Sequence, residues 1–317
     1  MKRMKSLLRK IKSLEGGAKA TSLVYIIAAI GIITYPLKFK GLGRACLLLN
    51  KFVNTSSHFI TLELTENNLF RFHLTDYYWS RMLFNPYHME PEILETLKLT
   101  LNKNTAFIDC GANLGLWSIY ATNLIGDPKK VLSIEASPET YKELLENSKL
   151  NNNFPTVNCA AHATDGGSLL FYQDVRHASS KVVSNASHGS NTISVEKSSL
   201  DSLAIDRNLT IPGRLIIKLD VEGLEKEVLQ GSHNILTAND SLIIYEDHAN
   251  DVDCISSKYI LEDLGFEISP AANPSLTFKS LDEVKEYKSK RKGGLNFIGA
   301  KKSSYLLQEL LSKTIKH

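Results

Sequence analysis

Cysteine is scarce in this chain, four among 317 residues, and Cys46, Cys110, Cys159 and Cys254 stand far apart with no Cys-x-x-Cys pair. That spacing excludes a disulfide framework and a zinc site of ordinary ligand spacing, and it suits a reducing, cytoplasmic compartment. Cys110 and Cys159 lie within apolar runs and read as small buried hydrophobes. An excess of either charge is also lacking: 37 Lys and Arg against 34 Asp and Glu leave a net +3. The basic residues gather toward the two ends and are not interleaved with aromatics, so a nucleic-acid partner is discounted. No internal repeat or low-complexity tract is present, which sets solenoids and disordered tails aside.

A long apolar run is missing as well. Residues 23–37 form the longest such stretch, short of the roughly 20 residues of a spanning helix. It follows Lys2, Arg3, Lys5, Arg9, Lys10 and Lys12 and precedes Lys38, Lys40 and Arg44, so flanking charge gives no orientation. No small-residue cleavage site accompanies it. The stretch is compatible with a packed or interfacial helix, a membrane anchor or a targeting segment, and contact with a membrane through residues 23–37 is carried as an expectation.

What is present is an ordinary globular composition, 43% hydrophobic and 22% charged, with room for one large α/β core. Residues 59–73 alternate apolar and polar around Glu66-Asn67-Asn68 and predict a hairpin. Residues 89–101 predict a helix begun at Pro91. From Asn104 onward, short apolar strands alternate with amphipathic helices, the pattern of a parallel sheet buried on both faces. Strands are expected at AFIDC, VLSIEA, residues 157–163, SLLFYQD, residues 214–223 and SLIIYE, with GFEIS and LNFIGAK closing as an antiparallel pair. Helices are expected at 116–124, 138–150, 224–236 and 255–264. SLLFYQD should pair with its predecessor as a hairpin, and the Ser-, Asn- and His-rich residues 176–199 read as a surface loop and candidate lid. The expected organisation is a basic and hydrophobic segment over 1–50, a hairpin and helix over 51–103, a catalytic domain over 104–302 and a helical tail over 303–317.

Chemistry enters at Phe107-Ile108-Asp109-Cys110-Gly111-Ala112-Asn113-Leu114-Gly115, an apolar strand running into a small-residue loop and then a helix. In an open α/β sheet, ligands bind beyond the carboxyl ends of the strands, where glycines admit close approach and a helix N-terminus offers free N–H groups. Glu135 ends the next strand, as a carboxylate gripping both ribose hydroxyls should. These features alone would suit NAD, but Asp109 would repel a pyrophosphate and favours a ligand bearing an ammonium and a sulfonium. A nicotinamide-dependent oxidoreductase and a non-catalytic, membrane-tethered binding protein are the competing readings.

A second cluster is Ile217-Lys218-Leu219-Asp220-Val221-Glu222-Gly223, followed by Glu246 and His248 after another apolar strand. FIDCGANLGLWS, SIEASPETYKELLENSKLN, the segment from Ala160-Ala161 to Asp165-Gly166, IKLDVEGLEKEVLQGS and IIYEDH occur in this order. Together they resemble the FkbM family of methyltransferases over residues 106–248. The resemblance implies a Rossmann-like class I fold, S-adenosylmethionine as donor, and O-methylation of a hydroxyl on a sugar, glycan or natural product. It places Asp109, Gly111, Asn113, Gly115 and Glu135 along the cofactor, with Asp165 near the adenine, and matches Asp220 and Glu222 to an acidic pair after the fourth core strand. Asp220, Glu222, Glu246 and His248 all fall at or beyond strand ends on the ligand side and are the candidate catalytic residues; His248 has the ordinary pKa nearest neutrality. The three carboxylates could hold Mg²⁺ as an oxygen-only set, although no metal is required by the expected displacement.

Overall fold

The computed structural model describes residues 8–53, 57–85, 87–172, 181–182, 192–221, 223–248, 251–291 and 294–314. The chain begins with strand β1 (Lys10–Leu14), helix α1 (Gly17–Thr34), helix α2 (Leu42–Phe52) and the hairpin β2 (Phe59–Thr65) and β3 (Asn68–His73), in a sheet ordered β1-β2-β3. The hairpin is the one its alternation predicted; its annexation of β1, antiparallel to β2, left no comparable signal. α1 packs inward through Ala20, Leu23, Val24, Ile27, Ala28 and Gly31. A Cβ on Gly31 would lie 1.9 Å from the Phe84 ring, so the helix needs glycine there to reach the core.

After helix α3 (Pro91–Thr100) come β4 (Ala106–Cys110), α4 (Leu116–Ile125), β5 (Val131–Glu135), α5 (Pro138–Leu150) and β6 (Thr156–Asn158). A small sheet follows from β7 (Ala160–Ala161), β8 (Ser168–Tyr172), β9 (Lys181–Val182) and β10 (Thr192–Ser198), with α6 (Leu200–Asp206) after it. The core resumes with β11 (Arg214–Leu219), α7 (Glu225–Gln230), α8 (His233–Ala238), β12 (Asp240–His248), α9 (Ile255–Glu262), β13 (Glu267–Pro270), α10 (Leu281–Ser289), β14 (Gly294–Ala300) and α11 (Tyr305–Thr314).

The main sheet has the order β13-β14-β12-β11-β4-β5-β6. All neighbours from β12 to β6 run parallel, and β14 alone is reversed, antiparallel to both β12 and β13. Alternate residues of each strand feed separate cores: Phe107, Ile216, Ile244 and Ile298 join the core shared with α1–α4, while Ile108, Ile217, Ile243 and Phe297 join the one under α7, α9 and α10. That is the two-sided burial of a parallel sheet.

The N-terminal sheet is latched to this domain by two asparagines, Asn147 in the last turn of α5 and Asn151 just past its end. Asn147 Oδ1 accepts from the Arg71 backbone N–H at 2.7 Å, and its amide donates to the carbonyls of Arg71 and Leu114. Asn151 does the same for both backbone groups of Leu69. The free edge of β3 is thereby satisfied by side chains rather than left as a strand template.

Three sequence expectations are corrected. Residues 157–163 are not one strand: the chain breaks at Cys159, so that β6 stays in the main sheet and β7 enters the small one. SLLFYQD does not pair with its predecessor; β10 lies between them, parallel to β7 and antiparallel to β8, because a parallel neighbour for β7 requires a strand arriving from farther along the chain. The expected helix over 224–236 is two short helices split at Gly231-Ser232, where a Cβ on Gly231 would meet the His162 carbonyl oxygen at 2.0 Å. β10 also occupies part of the expected loop; residues 176–180 and 183–191 of the candidate lid lie outside the described residues.

Candidate functional site

The carboxyl ends of β4, β5, β11 and β12 open onto a cavity of about 320 Å³. Its two sides are built differently. On the β4–β5 side the backbone makes the wall: the N–H groups of Gly111 and Ala112 both donate to the Ile134 carbonyl, at 3.0 and 2.9 Å, folding the loop back over β5. Gly111 has φ 75°, and a Cβ there would stand 1.8 Å from the Asp220 carbonyl oxygen. Only glycine permits that approach of two strand ends. Asn113, at φ 50°, takes the left-handed conformation that asparagine tolerates; its Oδ1 accepts from Trp79 Nε1 at 3.2 Å.

Glu135 closes this wall. One carboxylate oxygen accepts from the Asn113 N–H at 2.9 Å and the other from the Ser137 N–H at 2.8 Å. Burial pushes its pKa up to about 7, against the pull of those two N–H donors. The carboxyl is thus oriented by the backbone and poised to change charge near neutrality.

The β11–β12 side is made of side chains from distant segments. Asp220 follows β11 and Glu246 lies near the end of β12, and both line the cavity with Glu90, Tyr78 and Lys218. Lys218 Nζ donates to Asp220 Oδ2 at 3.0 Å. Burial alone would lower the Lys218 pKa, but the carboxylates of Asp220, Asp109 and Glu90 outweigh it and hold the ammonium above its ordinary value. Burial pushes Glu90 up, opposed by Lys218 and reinforced by Asp220. Burial also raises the Tyr78 phenol, with Glu90, Asp220 and Glu246 adding to the shift. Asn296 fixes Glu90 and Glu92, donating to them at 3.2 and 2.8 Å.

The sequence-predicted residues separate accordingly. Gly111, Asn113, Glu135, Asp220 and Glu246 line the cavity, whereas Asp109, Gly115 and Asp165 do not. Asp109 is fully buried; its Oδ2 accepts from the N–H and hydroxyl of Ser118, at 3.1 and 2.6 Å, so the side chain turns under α4 rather than toward the ligand space. Gly115 is a hinge at φ 84°, and a Cβ on it would lie 2.6 Å from Leu144. Asp165 accepts from the Ser199 N–H and the hydroxyls of Ser198 and Ser202, and these bonds depress its pKa to about 2. It ties the start of α6 to the small sheet, outside the cavity. His248 ends β12 opposite Gly294; its side chain, and all of Glu222, lie outside the described residues. Among the described residues, no group of three metal-ligating side chains comes together.

Sequence reasoning missed Tyr78, Trp79, Glu90 and Lys218. Lys218 carried a signal, a lone charge within an apolar parallel strand. Tyr78 and Trp79 had none, because they are delivered by the N-terminal sheet: Asp76 Oδ1 caps both of their N–H groups, and Trp79 stacks edge-on against Phe70 of β3 at 4.9 Å. Cys110 and Cys159 are buried as expected but border the cavity, and burial pushes the Cys159 thiol up to about 12.

A glycine loop closing over the next strand, in a sheet whose reversed strand is let in beside its edge, is the Rossmann-like class I methyltransferase architecture. Within that class the chain belongs to the FkbM family: residues 109–268, half of its length, match the methyltransferase FkbM domain. Membership brings S-adenosylmethionine as the donor and sets aside the nicotinamide-dependent alternative. Similar solved structures include an FkbM methyltransferase from Methylobacillus flagellatus, 14% identical with a TM-score of 0.39 over 63% of this chain and 47% of that one. The chain therefore spans less than half of that protein. A precorrin-6y C5,15-methyltransferase from Geobacter metallireducens is 15% identical, with a TM-score of 0.38 over 67% of this chain and 87% of that one. An O-methyltransferase from Bacillus cereus in complex with SAH is 15% identical, with a TM-score of 0.35 over 66% and 78%. No curated protein matches the chain.

Proposed function

We propose that this protein transfers a methyl group from S-adenosylmethionine to a hydroxyl of a small molecule, sugar or glycan, with donor and acceptor meeting across the cavity. The observation that carries this reading is the charge of the lining: Glu90, Glu135, Asp220 and Glu246 face one lysine among the described residues. Such a lining repels a pyrophosphate and accepts a ligand bearing an ammonium and a sulfonium. The donor set therefore fits S-adenosylmethionine, held by the Gly111–Asn113 loop with Glu135 taking the ribose hydroxyls. When bound, that group supplies a methyl carbon activated by its sulfonium.

The protein's own work is alignment and proton removal. Asp220, paired with Lys218, and Glu246 frame the acceptor side, and Tyr78 and Glu90 shape its outer wall. Glu222 and His248 remain proposed members of this group by their positions in the chain, His248 as a candidate base. Asp109 acts from beneath, fixing the start of α4 and the loop above it. No acidic trio need hold a metal for this chemistry.

Calorimetry with S-adenosylmethionine, its demethylated product and NAD tests the donor side: the first two should bind and NAD should not. Incubation with methyl-labelled donor and fractionated glycans and metabolites tests the acceptor side. Label appearing in no fraction while the donor binds would overturn the transfer reading, and label in an amine would overturn O-methylation.

A further inference from the structure

A helix on the surface of a globular domain ordinarily turns a polar face to water. α1 does not. Its inner face, from Ala20 to Gly31, is buried, yet the opposite stripe of Tyr25, Ile26, Ile32 and Ile33 is exposed, and the chain beyond it adds Tyr35 and Leu37. Ile33 is 75% exposed, Leu37 62%, and Phe52 at the end of α2 85%. Around these side chains the charge has one sign. Lys19, Lys38, Lys40, Arg44 and Lys51 are all exposed, and no Asp or Glu occurs anywhere from residue 16 to residue 62.

We infer that the outer face of α1, with the turn into α2, is a docking surface for an anionic lipid bilayer, lying in the interface and not spanning it. Exposed apolar side chains rimmed by lysine and arginine are what an interfacial helix presents to acyl chains and headgroups. A second copy of this chain fits the face less well, because an isologous contact would set the same basic cluster against itself. Residues Gly17–Leu37 are long and apolar enough to cross a membrane, with mean hydropathy 1.8. Crossing, however, would strip Ile27 and Gly31 from their seat on the core, where Gly31 has been kept free of a side chain to admit Phe84. The inference stands independently of the methyl-transfer reading.

The test is flotation of the full-length protein with vesicles of phosphatidylcholine, alone or containing phosphatidylglycerol. The protein should float with the anionic vesicles, should not float with the neutral ones, and should be released by high salt, which screens surface charge. Replacing Lys38, Lys40 and Arg44 by serine should weaken partition by roughly a hundredfold, at about fivefold per basic residue. Ile33→Glu with Leu37→Glu should abolish it, and both variants should keep the wild-type melting temperature because every altered side chain is exposed. If the glutamate pair lowers that temperature, the serine variant alone decides. Equal flotation with neutral and anionic vesicles, or no flotation with either, would overturn the inference. So would protein that stays with vesicles through the salt wash, which marks insertion. A dimer that the glutamate pair dissociates, with no vesicle binding by the wild type, would instead assign the face to a second copy.

Discussion

The two walls of the cavity are made by different means. The β4–β5 wall is backbone: a glycine loop, two N–H groups folded onto one carbonyl, and a glutamate held by two further N–H groups. The β11–β12 wall is side chains, brought from positions 78, 90, 218, 220 and 246. A backbone wall can change little without breaking the fold, so it suits the ligand that every member of a methyltransferase family shares. A side-chain wall can be altered one residue at a time and suits the partner that differs.

If that division is right, substitutions on the two sides should fail differently. The largest effect is expected from Asp220→Asn, which should lower turnover by about 10² to 10⁴ while donor affinity, measured by calorimetry, stays within a few-fold of wild type. Loss of both together would erase the distinction between the walls. His248→Ala, assayed alongside, should match that loss if the histidine is the base, with wild-type rate falling in acid near the imidazole pKa; an unchanged rate would remove it.

Gly111→Ala comes next. A methyl placed 1.8 Å from the Asp220 carbonyl must push two strand ends apart; overpacking of this kind costs about 1–3 kcal/mol. Both donor binding and melting temperature should drop, since this residue belongs to the wall and to the fold. Retained donor affinity would mean that the loop does not carry the ligand.

Glu135→Ala should weaken donor binding by about 1–3 kcal/mol, the scale of losing hydrogen bonds to a charged group. Its pH signature is more telling. The native carboxyl has a pKa raised to about 7 from an ordinary 4.5, so its contribution to stability is full below about pH 4.5 and is lost as pH rises through 7. Glu135→Gln should flatten the melting temperature of the free protein across that window. Hydroxyls donating to the ionised carboxyl should also release a proton on donor binding near pH 7, read as a dependence of calorimetric heat on buffer ionisation enthalpy. No such dependence would separate Glu135 from the ligand.

The smallest effect on the site should come from Asn147→Ala. It leaves the Arg71 N–H and carbonyl and the Leu114 carbonyl without their partner, at a cost of about 1–3 kcal/mol seen in melting temperature, with donor affinity falling less than in Gly111→Ala. Because the N-terminal sheet carries Tyr78 and Trp79, acceptor KM should rise while kcat moves less. An unaltered KM would detach the extension from the acceptor side.

Local pattern determined a good deal of this protein. Apolar runs between loop residues placed β4, β5, β11 and β12, because a strand buried on both faces cannot hide its composition. Gly111, Asn113, Glu135 and Asp220 were legible as lining residues for a related reason: each lies at or just past a strand end, which is a position in sequence. Where the tertiary structure decided, the cause was a contact between segments far apart. Cys159 divides one apolar run between two sheets because β10 returns to claim half of it. Asp109 looked like a ligand group by position, but its rotamer and the start of α4 turn it beneath the loop to Ser118. Asp165 was drawn off to the serines at the head of α6, 33 or more residues on. Tyr78 and Trp79 follow the N-terminal sheet, which is latched onto the end of α5 by Asn147 and Asn151, and Glu90 is held at the head of α3 by Asn296 of β14; no local pattern encodes where a side chain from another layer will arrive.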